Sequence, residues 1–175
     1  VKTETVPQTE SVAETEAEAG ADISGTVTLA AAASLEKSFT EELIPMFEAQ
    51  YPNVEVQGTY DSSGKLQSQI EAGADVDVFF SAALKQMDAL KEEGYIAEDA
   101  SVDLLENRIA LIVPTGKEEG YSSFEDIVNA DMAAIGDPES VPAGQYGKEA
   151  LENLNLWGEV ENKLSLGTNV TEVLN

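Results

Sequence analysis

Cysteine and histidine are absent from the 175-residue chain, and basic residues are few. These absences exclude disulfides, Cys nucleophiles, Ser-His-Asp triads and many kinds of metal site. Nine Lys and Arg residues against 34 Asp and Glu residues give a formal net charge of −25, a field that repels nucleic acids and anionic membrane surfaces. No apolar run approaches the roughly 20 residues of a membrane span. We therefore expect no nucleic-acid partner, no cofactor and no bare metal cation.

Residues 1–24 differ in composition from the rest of the chain. They are rich in Glu, Thr and Ala and contain no aromatic residue. Such a segment has little apolar surface to bury, so we expect a disordered acidic tail or linker. It is either a remnant of cloning or processing, or a tether that holds a domain away from a surface. The tether is the interpretation we favour.

Strands and helices alternate in the next part of the chain. Apolar or alternating runs predict strands at residues 26–32, 54–60 and 76–80. Helices are predicted to follow them at residues 34–50, 65–72 and 85–93. This order is typical of a mostly parallel sheet covered by helices. Pro45 should kink or divide the first helix, because proline cannot donate a backbone hydrogen bond.

A second α/β unit is predicted to follow. Its strands are expected at residues 107–114, 133–135 and 164–166, and its helices near residues 123–129, from about 144 and from 170. The sequence thus predicts an α/β fold of two lobes, residues 25–106 and residues 107–175, with a cleft between them. A hinge is expected near residues 105–109.

Three turns between a strand and a helix are composed of small or hydroxylated residues. They are centred on Ser34, on the pair Ser62 and Ser63, and on the loop 136–144. The start of a helix has unpaired N–H groups and a partial positive charge, so such turns can hold an anion. Each turn alone also fits a capped helix that binds nothing. In the first turn, Ser34 would be the N-cap of the helix that follows. In open α/β sheets, however, ligands bind at the carboxyl ends of strands.

The chain resembles a known protein family in four segments. They are residues 27–35 with the run AAASL, residues 62–66, residues 69–79 with IEAGA-x-x-D, and residues 136–144 with GDP-x-x-VPAG. These segments are similar to the periplasmic molybdate-binding proteins of ABC-type molybdate and tungstate importers. The resemblance runs from about residue 26 to residue 175. It implies a type II periplasmic-binding-protein fold.

The resemblance also implies a ligand and the residues that bind it. The ligand would be molybdate or tungstate, a tetrahedral dianion held between the lobes without a neutralising cation. Ser34 and Ser63 would donate from hydroxyl and amide groups of the first lobe. Ala143 and Val170 would each donate a backbone N–H from the second lobe.

Location and partners follow from the same resemblance. It implies capture of the oxyanion outside the cytoplasm, in the periplasm or at the cell surface, and delivery to an ABC permease. We expect a monomer, anchored by a lipid on an N-terminal segment that has been removed. The family continues past the position of Asn175 into a segment with a ligand-contacting tyrosine. We therefore expect a C-terminally truncated chain with an incomplete second lobe.

Other functions stay open at this stage. The binding protein could select another tetrahedral oxyanion, such as sulfate. The same fold could belong to an enzyme or to a ligand-sensing domain, although no His or Cys is available as a general base or nucleophile. Asp75 and Asp77 could form a pair of carboxylates on one strand face. We expect Asp77 to satisfy backbone groups instead, and we expect no catalytic residue.

Overall fold

The apolar strand predicted first is the centre of a three-stranded sheet. The computed structural model describes residues 23–97 and 99–174. Strand β1, Ser24–Ala32, pairs with β2, Asn53–Asp61, on one side and with β3, Val78–Phe80, on the other. Both pairings are parallel. The predicted parallel sheet is confirmed.

The helical segment after β1 is divided as its proline requires. It passes from a 3₁₀ turn, Ala33–Leu35, through α1, Glu36–Ser38, into a π-helical turn, Phe39–Leu43, and then into α2, Ile44–Gln50. The N–H of Ile44 donates to the carbonyl of Phe39, five residues back. A π turn shifts the hydrogen-bond register where the regular i→i−4 bond of Pro45 is missing.

Two helices cover the three-stranded sheet. They are α3, Ser63–Glu71, and α4, Leu84–Glu92. Leu66 of α3 and Leu90 of α4 are 1% and 0% exposed, and α3 packs against both β1 and α4. The carboxyl half of β1 is a run of alanines, which fits a strand flanked by neighbours on both sides and covered by helices.

A second, two-stranded parallel sheet follows. Strand β4, Ala133–Gly136, pairs with β5, Leu164–Gly167. Around it lie helices α5, Pro142–Asn153, α6, Trp157–Val160, and α7, Val170–Leu174, and two 3₁₀ turns, Phe124–Asn129 and Glu161–Lys163. Ile127, Leu151 and Val160 form its buried core, with Trp157 packed against them. The α/β fold class is confirmed.

The strand predicted over residues 107–114 is wrong. Residues 101–114 have no regular secondary structure. A strand is stabilised by pairing with a neighbour, and in the described part of the chain no strand pairs with this segment. Leu111 packs against the second core, whereas Ile112 is 66% exposed. The apolar composition of the segment was therefore a poor guide to its backbone structure.

Smaller predictions have mixed outcomes. The helix near residues 123–129 is a 3₁₀ turn. Asp77 satisfies backbone groups as expected, because its carboxylate accepts the N–H of Thr28 at 2.8 Å. Of the predicted acidic tail, residues 1–22 lie outside the described part of the chain. None of the helices in the described ranges has the length and apolar content needed to cross a bilayer.

The second core makes a prediction about stability. Leu151→Ala removes a side chain that is 1% exposed, and we expect it to lower the free energy of unfolding by about 2–5 kcal/mol, because a cavity is left behind. The matched control is Leu84→Ala, at a helical leucine that is 56% exposed, which should cost less than about 1 kcal/mol. Urea denaturation measures both. Equal losses would contradict the assignment of Leu151 to a packed core.

The turn at Phe124–Asn129 makes a prediction about pH. The carboxylate of Asp126 accepts the N–H groups of Ser122 and Ser123 at 2.7 and 2.8 Å, and these bonds hold its pKa below the ordinary value. A lowered pKa stabilises the fold above the unfolded pKa of about 4 and loses that effect as the pH falls through the folded pKa. Asp126→Ala should therefore lower the melting temperature at pH 7, with a difference from wild type that shrinks below pH 4.

The control for this pH prediction is Glu125→Ala. Glu125 is an exposed neighbouring carboxylate on the same turn, and its removal should leave the melting temperature nearly unchanged at pH 7 and at pH 3. A melting-temperature difference between Asp126→Ala and wild type that stays constant from pH 7 to pH 3 would contradict the stabilising role of the ionised Asp126 carboxylate.

Candidate ligand-binding site

One cavity of about 170 Å³ lies at the carboxyl ends of both sheets. Its volume is below the roughly 300–1,000 Å³ of pockets for drug-sized molecules, so it suits a small ligand. All four residues predicted to bind a ligand line it, namely Ser34, Ser63, Ala143 and Val170. The structure thus brings together residues that are up to 136 positions apart in the sequence.

Ser63 is the most buried of these four residues. It opens α3 and is 0% exposed. Its hydroxyl oxygen accepts the N–H of Ala82 at 2.9 Å, so the hydroxyl hydrogen remains for another acceptor. Ser62 is the N-cap, and its side chain accepts the N–H of Lys65 at 3.4 Å. Both serines line the cavity, but Ser62 also caps the helix, whereas the Ser63 hydroxyl keeps its hydrogen for another acceptor.

Ser34 does not have the helix-capping role predicted for it. It was expected to cap the following helix, but it lies inside the 3₁₀ turn Ala33–Leu35, whose N-cap is Ala32 and has no side-chain bond. The capping prediction is wrong because helical backbone begins one residue before the serine. Within the described part of the chain, no residue bonds to the hydroxyl of this exposed side chain. Its donor can therefore serve a ligand.

Helix α5 contributes backbone donors from the second sheet. Val141 is the N-cap and Pro142 the first helical residue, so the N–H of Ala143 has no carbonyl inside the helix. No other described residue accepts a hydrogen bond from that N–H. The helix start packs tightly on β4, since a Cβ at Gly144 would collide with the carbonyl of Gly136. Small residues in this loop thus allow the helix start to pack on β4, and they leave the backbone N–H groups open to a ligand.

Helix α7 brings the fourth residue. Asn169 caps this short helix by accepting the N–H of Glu172 at 3.0 Å. The carboxylate of Glu172 accepts the N–H of Thr168 at 2.7 Å. That bond is the main reason why the pKa of Glu172 lies below its ordinary value, and Lys65 of α3 lowers the pKa further while Asp61 opposes it. Val170, at the first helical position, keeps an N–H without an intrahelical partner.

The start of α3 and the loop before α5 are in direct contact beside the cavity. The N–H of Gly64 donates to the carbonyl of Ser140 at 3.2 Å. A Cβ at Gly64 would lie only 2.6 Å from that carbonyl oxygen. Glycine is therefore the residue that allows α3 and the loop before α5 to approach this closely.

The cavity also contains residues that the sequence did not single out. Tyr146 lines it from α5, three residues after Ala143 and so on the same helix face. Asn107, Arg108 and Ile109 line it from the connecting segment. The helical spacing was a usable signal for Tyr146. The expected hinge near residues 105–109 placed the connecting segment between the lobes, but the strand predicted there gave no indication of which of its residues line the cavity.

Known protein sequences are similar to this chain. The model of a family described as bacterial extracellular solute-binding protein matches residues 27–175. YvgL of Bacillus subtilis strain 168, provisionally named an ABC transporter substrate-binding lipoprotein, is 42% identical over 85% of this chain and 57% of its own length. The molybdate-binding protein ModA of Escherichia coli K12 is 33% identical over 86% of this chain and 60% of its own length.

Solved structures show the same fold. A substrate-binding domain from Clostridium difficile, provisionally assigned to a molybdenum ABC transporter, has a TM-score of 0.60 at 37% identity and is matched over 85% of this chain and 65% of that one. The periplasmic molybdate-binding protein of Azotobacter vinelandii has a TM-score of 0.62 at 21% identity, over 85% and 64%, and this likeness concerns the fold alone. The chain spans 45–61% of the length of the curated relatives it matches.

The sequence match covers nearly all of the described residues, and the fold agrees with solved binding proteins at both levels of identity. The predicted resemblance is confirmed, and the chain belongs to the family of bacterial extracellular solute-binding proteins.

Proposed function

We propose that this chain belongs to an extracytoplasmic solute-binding protein that captures molybdate or tungstate and delivers it to an ABC permease. One observation carries the proposal. Two hydroxyl-bearing residues from the first sheet, Ser34 and Ser63, and two free helix-start N–H groups from the second, those of Ala143 and Val170, surround one small cavity. Relatives named for molybdate binding support the choice of ligand.

The proposed mechanism is capture without a chemical step. Two lobes, residues 25–106 and residues 107–175, close about the connecting segment and enclose the oxyanion. Hydroxyl and N–H groups replace the water that the anion loses, and fixed donors favour a tetrahedral anion of matching size. Sulfate has the same shape and charge but is smaller, so size is the basis of discrimination. No residue is assigned a catalytic role.

Location and assembly belong to the same proposal. The name of YvgL contains the word lipoprotein, which supports an anchor on an N-terminal segment ahead of the acidic tail. The tail would then hold the binding domain away from the membrane, and its negative charge would keep it clear of an anionic surface. The protein is proposed to act as a monomer.

The first test of this proposal is isothermal titration calorimetry. Both the 175-residue chain and the full-length protein that contains it are titrated with sodium molybdate, sodium tungstate and sodium sulfate. We expect tight binding of molybdate by the full-length protein and much weaker binding of sulfate. Equal affinity for the two anions would contradict size selection, and no heat with molybdate, tungstate or sulfate would contradict the proposed function.

The second test removes one hydroxyl. Ser63→Ala deletes a donor that is itself fully buried, and we expect a loss of roughly ten- to a hundredfold in molybdate affinity, the range for a hydrogen bond to a charged group. Ser68→Ala, at an exposed serine of the same helix, is the control and should bind as wild type does. Similar affinities for the two variants would show that Ser63 does not contact the ligand.

The third test concerns the contact between the sheets. Gly64→Ala places a methyl group against the carbonyl of Ser140, so the two sheets cannot approach as closely. We expect weaker molybdate binding through faster dissociation, because the close contact between α3 and the loop before α5 is lost. The control is Gly158→Ala, where no atom lies within 4 Å of the added Cβ. Gly73→Ala is unsuitable, because Gly73 has a positive φ of 90°. Unchanged dissociation in Gly64→Ala would contradict a closed state held by this contact.

A further inference from the structure

Asn107 belongs to the connecting segment, yet its side chain reaches the turn that follows β3. The side-chain amide of Asn107 donates to the carbonyl of Ala82 at 2.6 Å, and the N–H of the same Ala82 donates to the hydroxyl oxygen of Ser63 at 2.9 Å. We propose that Asn107 is a positioning residue, which acts through Ala82 to fix the Ser63 hydroxyl as a donor to the captured oxyanion. This inference rests on the proposed function and deepens it.

The Ala82 N–H controls the direction of the Ser63 hydroxyl. All three residues of the path line the candidate cavity, and Ser63 is the fully buried one. A serine hydroxyl has one hydrogen and rotates until its hydrogen-bond partners fix it. The Ala82 N–H occupies one lone pair of the Ser63 oxygen, so the hydroxyl hydrogen points away from Ala82. The position of one backbone N–H therefore decides where the Ser63 donor is aimed.

Ala82 depends on side-chain bonds for its own position. It lies between β3 and α4, in a turn of residues 81–83 without regular secondary structure. The hydroxyl of Ser81 donates to the carbonyl of Ala83 at 2.6 Å and accepts the N–H of Ala83 at 3.2 Å, which fixes one side of the turn. In the described part of the chain, the Asn107 amide is the hydrogen-bond partner of the Ala82 carbonyl. Asn107 therefore fixes the other side.

The same bond attaches the connecting segment to the site. Among the described residues, no other hydrogen bond and no ion pair joins residues 101–113 to another part of the chain. Asn107 lies within the expected hinge, residues 105–109, so its bond relates the position of the hinge to that of the Ser63 donor. A neutral amide makes this link without placing a charge beside the anion.

A double-mutant cycle separates positioning of Ser63 from any other effect of Asn107. The molybdate affinity of the full-length protein is measured by isothermal titration for wild type, Asn107→Ala, Ser63→Ala and the double variant. We expect Asn107→Ala to lose roughly three- to tenfold in affinity, the range for one hydrogen bond. In the Ser63→Ala background the same change should alter the affinity by less than about twofold, because the hydroxyl that Asn107 positions is already absent. A role of Asn107 independent of Ser63 would give the same factor in both backgrounds.

A second readout follows Ala82 without any ligand. In amide NMR spectra of the ligand-free full-length protein, we expect Asn107→Ala to shift the Ala82 resonance and to speed its hydrogen exchange, because the turn loses an anchor. Ser63→Ala removes the acceptor of that N–H and provides the reference for complete loss of the bond. An Ala82 resonance and exchange rate unchanged by Asn107→Ala would contradict the path from Asn107 to Ser63.

The matched control is Asn129→Ala. The side-chain amide of Asn129 also donates to a loop carbonyl, that of Gly120 at 3.1 Å, and Asn129 is not among the residues that line the cavity. Both asparagines are exposed, so neither truncation is expected to leave a cavity in a core. We expect Asn129→Ala to bind molybdate as wild type does, and thermal melts check that both variants fold.

The possible failures are distinguishable. If wild type binds molybdate and Asn107→Ala binds it as tightly, or loses the same factor with and without the Ser63 hydroxyl, the role of Asn107 is wrong while the proposed function stands. If wild type binds none of molybdate, tungstate and sulfate, the proposed function fails and this inference fails with it. If Asn129→Ala loses as much affinity as Asn107→Ala does, the loss comes from general loosening of the chain and a specific path to Ser63 is contradicted.

Discussion

Parallel strand pairing is the constraint on which the site depends. In the first sheet Ala32 of β1 is level with Asp61 of β2, and Ala31 is level with Phe80 of β3. The turns that follow these strands therefore leave the sheet at one edge. In the second sheet Gly136 is level with Gly167, which brings the loop before α5 beside the start of α7. Register alone thus places two groups of helix-start donors at two sheet edges.

Close contact of the two sheets then turns these edges into a cavity. The contact is made by backbone, through the N–H of Gly64 and the carbonyl of Ser140, and it needs a residue without a side chain. A backbone contact of this kind is insensitive to the acidic surface of the protein. It allows a chain of net charge −25 to present hydroxyl and N–H donors in a small space. Local dipoles act there over short distances, whereas solvent and salt screen the exposed carboxylates.

The sequence predicted most of the fold for identifiable reasons, and the family resemblance supplied the four expected site residues, which line one cavity. Strand and helix periodicity located both sheets, and the small, hydroxylated turns marked their carboxyl ends. It could not predict the structure of residues 101–114, because an apolar run forms a strand only where a neighbouring strand offers hydrogen bonds. The same error concealed Asn107 and Arg108, whose place in the cavity depends on a side-chain bond to Ala82. Periodicity has no access to such a tertiary contact.

The central claim is that a tetrahedral oxyanion occupies this cavity. A crystal structure of the full-length protein grown with sodium tungstate tests it most directly, since tungsten scatters X-rays anomalously. The account predicts one strong anomalous peak with oxygens within hydrogen-bond distance of the Ser63 hydroxyl and the Ala143 N–H. A strong peak elsewhere, or a cavity without anomalous density in a crystal saturated with tungstate, would contradict it.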